Sequence, residues 1–143
     1  CHDFGTSMNT AVDNGQIEGG IVQGLGWVTM EEVVYDKDGR LRSNALSTYK
    51  VPDIYSVPRE ISISPLESPR ENLAIYNSKA VGEPPLMYGL AGYFAIRNAV
   101  RSFIIENGGS AEAPFPPFDL PFTPEKVLTS LYPEFAFAAQ AGT

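Results

Sequence analysis

This chain has very little of what most protein metal and redox sites are built from. Its 143 residues include one cysteine, Cys1, and one histidine, His2. A single thiol excludes an internal disulfide and any cysteine-ligated zinc or iron–sulfur centre. A single imidazole has no second histidine with which to build a metal site, so His2 reads as a surface or packing residue and Cys1 as an inert thiol. Positive charge is scarce too: 10 Lys and Arg stand against 17 Asp and Glu, a net charge of −7. Nucleic acid and acidic membrane surfaces both demand a basic patch, so neither is an expected partner. No apolar run is long enough to span a bilayer, and no signal peptide is evident. With the single thiol, this leads us to expect a cytoplasmic protein.

What the chain has in quantity is glycine and proline, 13 and 12 residues. Its length suits one domain or a piece of one, with a modest core. Segment 1–5 reads as the tail of a strand whose start is missing. Ser7 or Asn9 can cap the helix that follows. From about Val12, Ile17, Ile21, Leu25 and Val28 recur at helical spacing, with Val22 beside them. Gly15, Gly19, Gly20, Gly24 and Gly26 interrupt this helix, and each glycine costs about 1 kcal/mol against alanine. Such a helix needs tertiary compensation. Its glycine spacing lets another backbone, or a flat ligand, approach closely. Asp13, Gln16, Glu18 and Gln23 rule it out as a membrane span.

Residues 31–35 and 40–44 read as two strands joined by the turn Asp36-Lys37-Asp38-Gly39, and 60–66 alternates as a third strand. Lys50 is read as a structural ion-pair partner. Residues 67–72 form a polar loop. A long helix is expected from Pro85 to about Asn107, with Leu86, Leu90, Phe94, Ala95 and Val100 inward and Gly108-Gly109 as its end. The expected fold class is therefore α+β: a glycine-rich helix and a second long helix packed with a small, mostly antiparallel sheet. Residues 111–121 are rich in proline and aromatics and suit polyproline II or irregular chain. They fit a docking ligand for a proline-binding module or, preferably, a packed arm. Thr123 and Pro124 open a short terminal helix, and 133–143 has little periodicity.

The stretch Ser78-Lys79-Ala80-Val81-Gly82-Glu83-Pro84-Pro85-Leu86 carries the sharpest chemical suggestion. Gly82 gives backbone freedom, Pro84 pushes Glu83 away from the α region, and Pro85 suits the start of a helix. Glu83 is thus expected in an extended loop, one immobilised carboxylate aimed at one place. A general base needs that immobility. The plainer alternative is a Glu that only caps the helix or compensates its dipole.

This stretch resembles the active-site loop of the xanthine dehydrogenases, in the molybdenum hydroxylase family that also holds the aldehyde oxidases. Three more stretches resemble that family in the same order. They are Asp13-Asn14-Gly15-Gln16-Ile17-Glu18-Gly19-Gly20 with Gln23-Gly24-Leu25-Gly26, then Glu31-Glu32, then Ser47-Thr48-Tyr49-Lys50-Val51-Pro52. The family usually has proline where this chain has Thr10.

The resemblance implies a fragment of the molybdopterin-binding domain. Residues 1–109 would be its C-terminal part, and 110–143 a proline- and aromatic-rich arm ending in a short helix. It implies oxidative hydroxylation of hypoxanthine or xanthine with oxygen from water, Glu83 being the general base. Gln16 matches the glutamine that hydrogen-bonds an oxo ligand of molybdenum; an exposed glutamine or simple cap is the plain alternative. Ser78, Lys79, Ala80 and Gly82 would line the cofactor, while Ser47 and Tyr49 would lie behind the site. No metal ligand is expected from this chain. Iron–sulfur clusters and FAD would sit on other domains or subunits, which with the upstream remainder of the molybdenum domain are the implied partners, beside the purine substrate. The chain alone is expected to hold no molybdenum and to be inactive. A fragment acting on aldehydes or other heterocycles, or a non-catalytic remnant or binding module, are the alternatives.

Overall fold

The computed structural model describes residues 2–65, 74–112 and 119–135. The readings made above for Cys1, 66–73 (the polar loop and its flanks), 113–118 (most of the proline-rich stretch) and 136–143 lie outside the described residues.

The first helix, α1 (Thr10–Thr29), starts where Asn9 leaves an extended backbone and its Oδ1 accepts the Val12 N–H at 3.2 Å. Such a cap contributes about 1 kcal/mol. Asp13 in the first turn complements the helix dipole and accepts the Ser7 hydroxyl at 2.5 Å. The buried positions are Ile17, Gly20, Gly24, Gly26 and Val28. The inward face is therefore largely glycine, flanked by half-buried Ile21, Val22 and Leu25.

That face receives a 3₁₀ helix, Pro84–Gly89, which continues into α2 (Leu90–Glu106). The approach is close. A Cβ built on Gly24 would lie 2.1 Å from the Leu86 carbonyl oxygen, and one on Gly89 would lie 2.5 Å from the Gly24 Cα. The expected long helix thus begins as 3₁₀ and turns α only at Leu90. Along it Val100 is buried, Leu86 and Leu90 are half-buried, and Phe94 and Ala95 face outward. Gly108, at φ 94, ends α2, and the Gly109 N–H bonds the Ile104 carbonyl at 2.9 Å.

The third helix, α3 (Pro124–Leu131), is capped by Thr123, whose side chain accepts the Lys126 N–H at 3.3 Å. It is tied back through Phe122, 2% exposed, whose N–H donates to the Val28 carbonyl at 2.7 Å. Lys126 also pairs with Glu32 at 3.0 Å, an exposed bridge of small energetic weight.

Among the described residues the expected antiparallel sheet does not form, and the α+β assignment is corrected to a helical fold. Among the described residues the only strand-like pairings are two isolated antiparallel bridges, Gly5 with Ser78 and Tyr35 with Leu41. The turn 36–39 does form, with the Gly39 N–H on the Asp36 carbonyl and the Arg42 N–H on the Val34 carbonyl. Its arms do not lengthen into a ladder, because Val33, Val34, Tyr35 and Leu41 are exposed with no layer to pack against. A lone two-stranded pairing is marginal without such a layer. Residues 60–65 have no strand partner among the described residues.

Candidate active site

Residues 2–6 lie along 77–80, the backbone that leads into Glu83. Lys79 N–H donates to the Phe4 carbonyl at 2.9 Å, Thr6 N–H to the Asn77 carbonyl at 2.9 Å, and His2 Nε2 lies 2.9 Å from the Ala80 carbonyl. Tyr76 and Asn77 both take positive φ, 54 and 59, turning the chain so that the Asn77 carbonyl meets Thr6. Gly5 sits against that carbonyl at φ 69, where any Cβ would fall 2.1 Å from it. Glycine is required there on both counts.

Past this contact Glu83 takes φ −74, ψ −31, helical values rather than the expected extended ones. Its carbonyl accepts the Leu86 N–H at 3.0 Å, closing the first 3₁₀ turn. Pro85 is buried against Gly20, so packing outweighs the bias imposed by a following proline. Gly82 does not use positive φ either; its bare backbone faces the Gln16 Oε1, 3.7 Å from where a Cβ would be. The Glu83 side chain makes no capping hydrogen bond, so capping does not account for it.

Glu83, Gly82 and Gln16 line one groove with Gly15, Gly19, Gly20 and Gln23, of 200 Å³. Helix spacing puts Gly15, Gln16, Gly19, Gly20 and Gln23 on one face of α1. The structure thus brings Gln16, Gly82 and Glu83 together. Ser78, Lys79 and Ala80 do not line this groove and have protein partners. Lys79 pairs with Asp3, and Ser78 donates its hydroxyl to the Ile75 carbonyl at 2.8 Å. Ala80 offers its carbonyl to His2. The Lys79 ammonium, then the Gly5 N–H, holds the Asp3 carboxyl below its ordinary range.

A larger cleft of 520 Å³ lies on the other side, lined among others by Trp27, Glu31, Glu32, Tyr49, Leu90 and Pro121. Size does not make it the reaction site, because its two carboxylates and its phenol are engaged with protein. Tyr49 donates its hydroxyl to Glu31 at 2.7 Å, and Glu32 holds Lys126. The sequence reading placed Tyr49 behind the site and missed this bond; Glu31 and Tyr49 carry no local signal of pairing. The Glu31 acceptor, with some desolvation, raises the Tyr49 pKa above 10.0. A raised pKa means the bond's stabilisation is complete below the ordinary value and is lost as pH climbs through the raised one. Titrating phenolate absorbance should show a component above 10.0 that disappears in Tyr49→Phe. If the component that Tyr49→Phe removes titrates at the ordinary value instead, the bond is contradicted.

The groove offers polar groups of the kind that the edge of a molybdopterin would need. Two glutamine amides and one carboxylate supply donors and acceptors. A Cβ on Gly15 or Gly19 would meet nothing within 4 Å, so packing explains neither glycine and the helix backbone there is open to close approach. At 200 Å³ the groove is smaller than the roughly 300 Å³ of sites that enclose a small molecule. No group of His, Cys, Asp or Glu among the described residues could hold a metal ion. The residues fit the polar edge of an organic cofactor, not direct ligation of a metal.

Residues 1–58 match the family model of the "Molybdopterin cofactor-binding domain". Fold and groove together thus define a segment of such a domain. Over 141 residues the chain is 43% identical to "Xanthine dehydrogenase/oxidase" of Mus musculus, and over 135 residues 43% identical to "Xanthine dehydrogenase" of Dictyostelium discoideum. These alignments cover 99% and 93% of this chain. The chain belongs to the xanthine dehydrogenase family. It spans only 11% and 10% of the length of those two relatives. Among solved structures, quinoline 2-oxidoreductase from Pseudomonas putida 86 superimposes with a TM-score of 0.72 at 31% identity, covering 90% of this chain and 15% of that one. The Cu,Mo-CO dehydrogenase shares the fold, with a TM-score of 0.63 at 21% identity over 90% of this chain and 15% of that one. No helix among the described residues is long and apolar enough to cross a membrane.

Proposed function

We propose that this chain supplies one wall of the active site of a purine-hydroxylating molybdenum enzyme, with Glu83 as general base. The observation that carries this reading is the shared groove: Gln16 and Glu83 face one space across Gly82, and Glu83 has no capping role. When bound, the molybdenum cofactor would supply the two-electron chemistry by which the purine is hydroxylated. Gln16 and Gln23 offer amide groups to its polar edge, and Gly15 and Gly19 let it lie against α1. The Glu83 carboxylate takes a proton from the hydroxyl whose oxygen derives from water, becomes neutral, and releases that proton to solvent. Loss of that proton makes the oxygen a better nucleophile toward an electron-poor ring carbon of hypoxanthine or xanthine.

The rest of the site belongs to polypeptide outside this chain. Among the described residues the buried apolar core is Ile17, Val28, Val100 and Phe122, while Trp27 is 53% and Tyr55 93% exposed. A surface of that kind fits one that the remainder of a molybdenum domain covers. Iron–sulfur and flavin units complete the reading as partners that carry the electrons away.

A second reading has its own support in the quinoline-oxidising neighbour: the complete enzyme acts on another heterocycle or an aldehyde. The test offers the complete, molybdenum-loaded enzyme hypoxanthine, xanthine, quinoline and an aldehyde in parallel. Purine turnover exceeding the others is the expected result. Turnover of quinoline or aldehyde with purines inert would install the second reading. Inertness to all would leave a remnant.

A further inference from the structure

We infer that His2, the chain's one histidine, is a positioning residue that holds the Glu83 loop from both sides. Upstream, its Nε2 donates to the Ala80 carbonyl at 2.9 Å; the ring carries its proton there, since a carbonyl only accepts. Downstream, the ring meets Tyr88 edge-on at 6.4 Å, and Tyr88 lies in the 3₁₀ helix that follows Glu83. The same ring contacts Phe4 at 6.4 Å and lines a gap with Ile17 and Ile21 of α1. One half-buried side chain therefore contacts the backbone before Glu83 and the helix after it, and faces the helix that carries Gln16 across a gap.

The backbone bonds from 2–6 reach Asn77 and Lys79 and go no further toward Glu83. The His2 ring extends this grip to Ala80, leaving Val81 and Gly82 before Glu83. A base displaced by about 1 Å can lose roughly a hundredfold in rate, so that one added anchor matters. The catalytic half of this inference rests on the reading of Glu83 given above; the structural half does not.

Two substitutions separate the two contacts. His2→Phe keeps a ring against Tyr88 and removes the donor. His2→Gln keeps a donor and removes the ring. Hydrogen exchange on the 143-residue chain is the first readout. In His2→Phe, amides 81–83 should exchange roughly five- to tenfold faster, as expected for one lost hydrogen bond, with α1 and α2 unchanged. His2→Gln should show a smaller increase. Unchanged exchange at 81–83 in both variants overturns the inference, and so does an equal increase throughout α1 and α2, which is general loosening. Turnover of the complete enzyme at matched molybdenum content is the second readout. His2→Phe should lower kcat with KM little changed, and His2→Gln should restore part of it. An unaltered kcat in His2→Phe overturns the catalytic half. If Glu83→Gln itself keeps full turnover, the reading of Glu83 fails and takes the catalytic half with it, while the exchange result still decides whether His2 holds the loop.

Discussion

Gly24→Ala should destabilise the chain by about 3 kcal/mol, the upper end of what overpacking costs. A Cβ on Gly24 would fall 2.1 Å from the Leu86 carbonyl oxygen and 2.9 Å from the Gly89 Cα. Both are backbone atoms, and neither can turn aside as a flexible side chain would. Gly89→Ala meets the reverse of the same contact, with Gly24 carbonyl carbon at 2.4 Å, and should cost as much. The two helical segments would have to separate, and the 3₁₀ helix whose first turn Glu83 closes would move off α1. Gly15→Ala and Gly19→Ala are the internal contrast. Their added methyls meet nothing within 4 Å, and helix propensity alone should stabilise each by about 0.5–1 kcal/mol. Urea midpoints of the four variants check this, with an unchanged denaturant slope showing that stability alone has moved. Equal effects at all four glycines would contradict the close approach.

Much of the helical framework can be read from residue order, and the reasons for the remainder are physical. Asn9, Thr123 and Gly108-Gly109 act through their nearest neighbours, so α1, α3 and the end of α2 follow from local chemistry. The glycines of α1 announced a close neighbour, but not that a 3₁₀ helix would fill the place. The missing sheet was misjudged because alternation records only that a segment is half-buried somewhere. Val33, Val34 and Tyr35 have the residues of a strand and, among the described residues, no layer to cover them. Glu83 was expected to be extended on the strength of Pro84, a bias of one residue that the Pro85–Gly20 contact overrides. Lys79 and Ala80 were assigned to the cofactor with the rest of their motif. Their partners are Asp3 and His2, some 76 and 78 positions away, and pairing at that distance leaves no periodic trace. The histidine itself was set aside as a ligand for want of a second one. That argument holds for metals and says nothing about a hydrogen bond to a carbonyl.

The central claim is that Glu83 moves a proton in the groove it shares with Gln16. Glutamine at that position keeps the size and one acceptor oxygen but cannot take up the proton. Glu83 is exposed and makes no capping bond, so Glu83→Gln should leave folding unchanged. General-base catalysis contributes about 10²- to 10⁴-fold, equivalent to about 3–5 kcal/mol of barrier. An interaction made only in the transition state lowers kcat and kcat/KM together, which separates this role from simple substrate binding. The measurement is xanthine turnover by the complete enzyme, unchanged and with Glu83→Gln, at matched molybdenum content. The natural protein should be active, and the variant should have both kcat and kcat/KM reduced at least about a hundredfold. Equal turnover in the two proteins would contradict it.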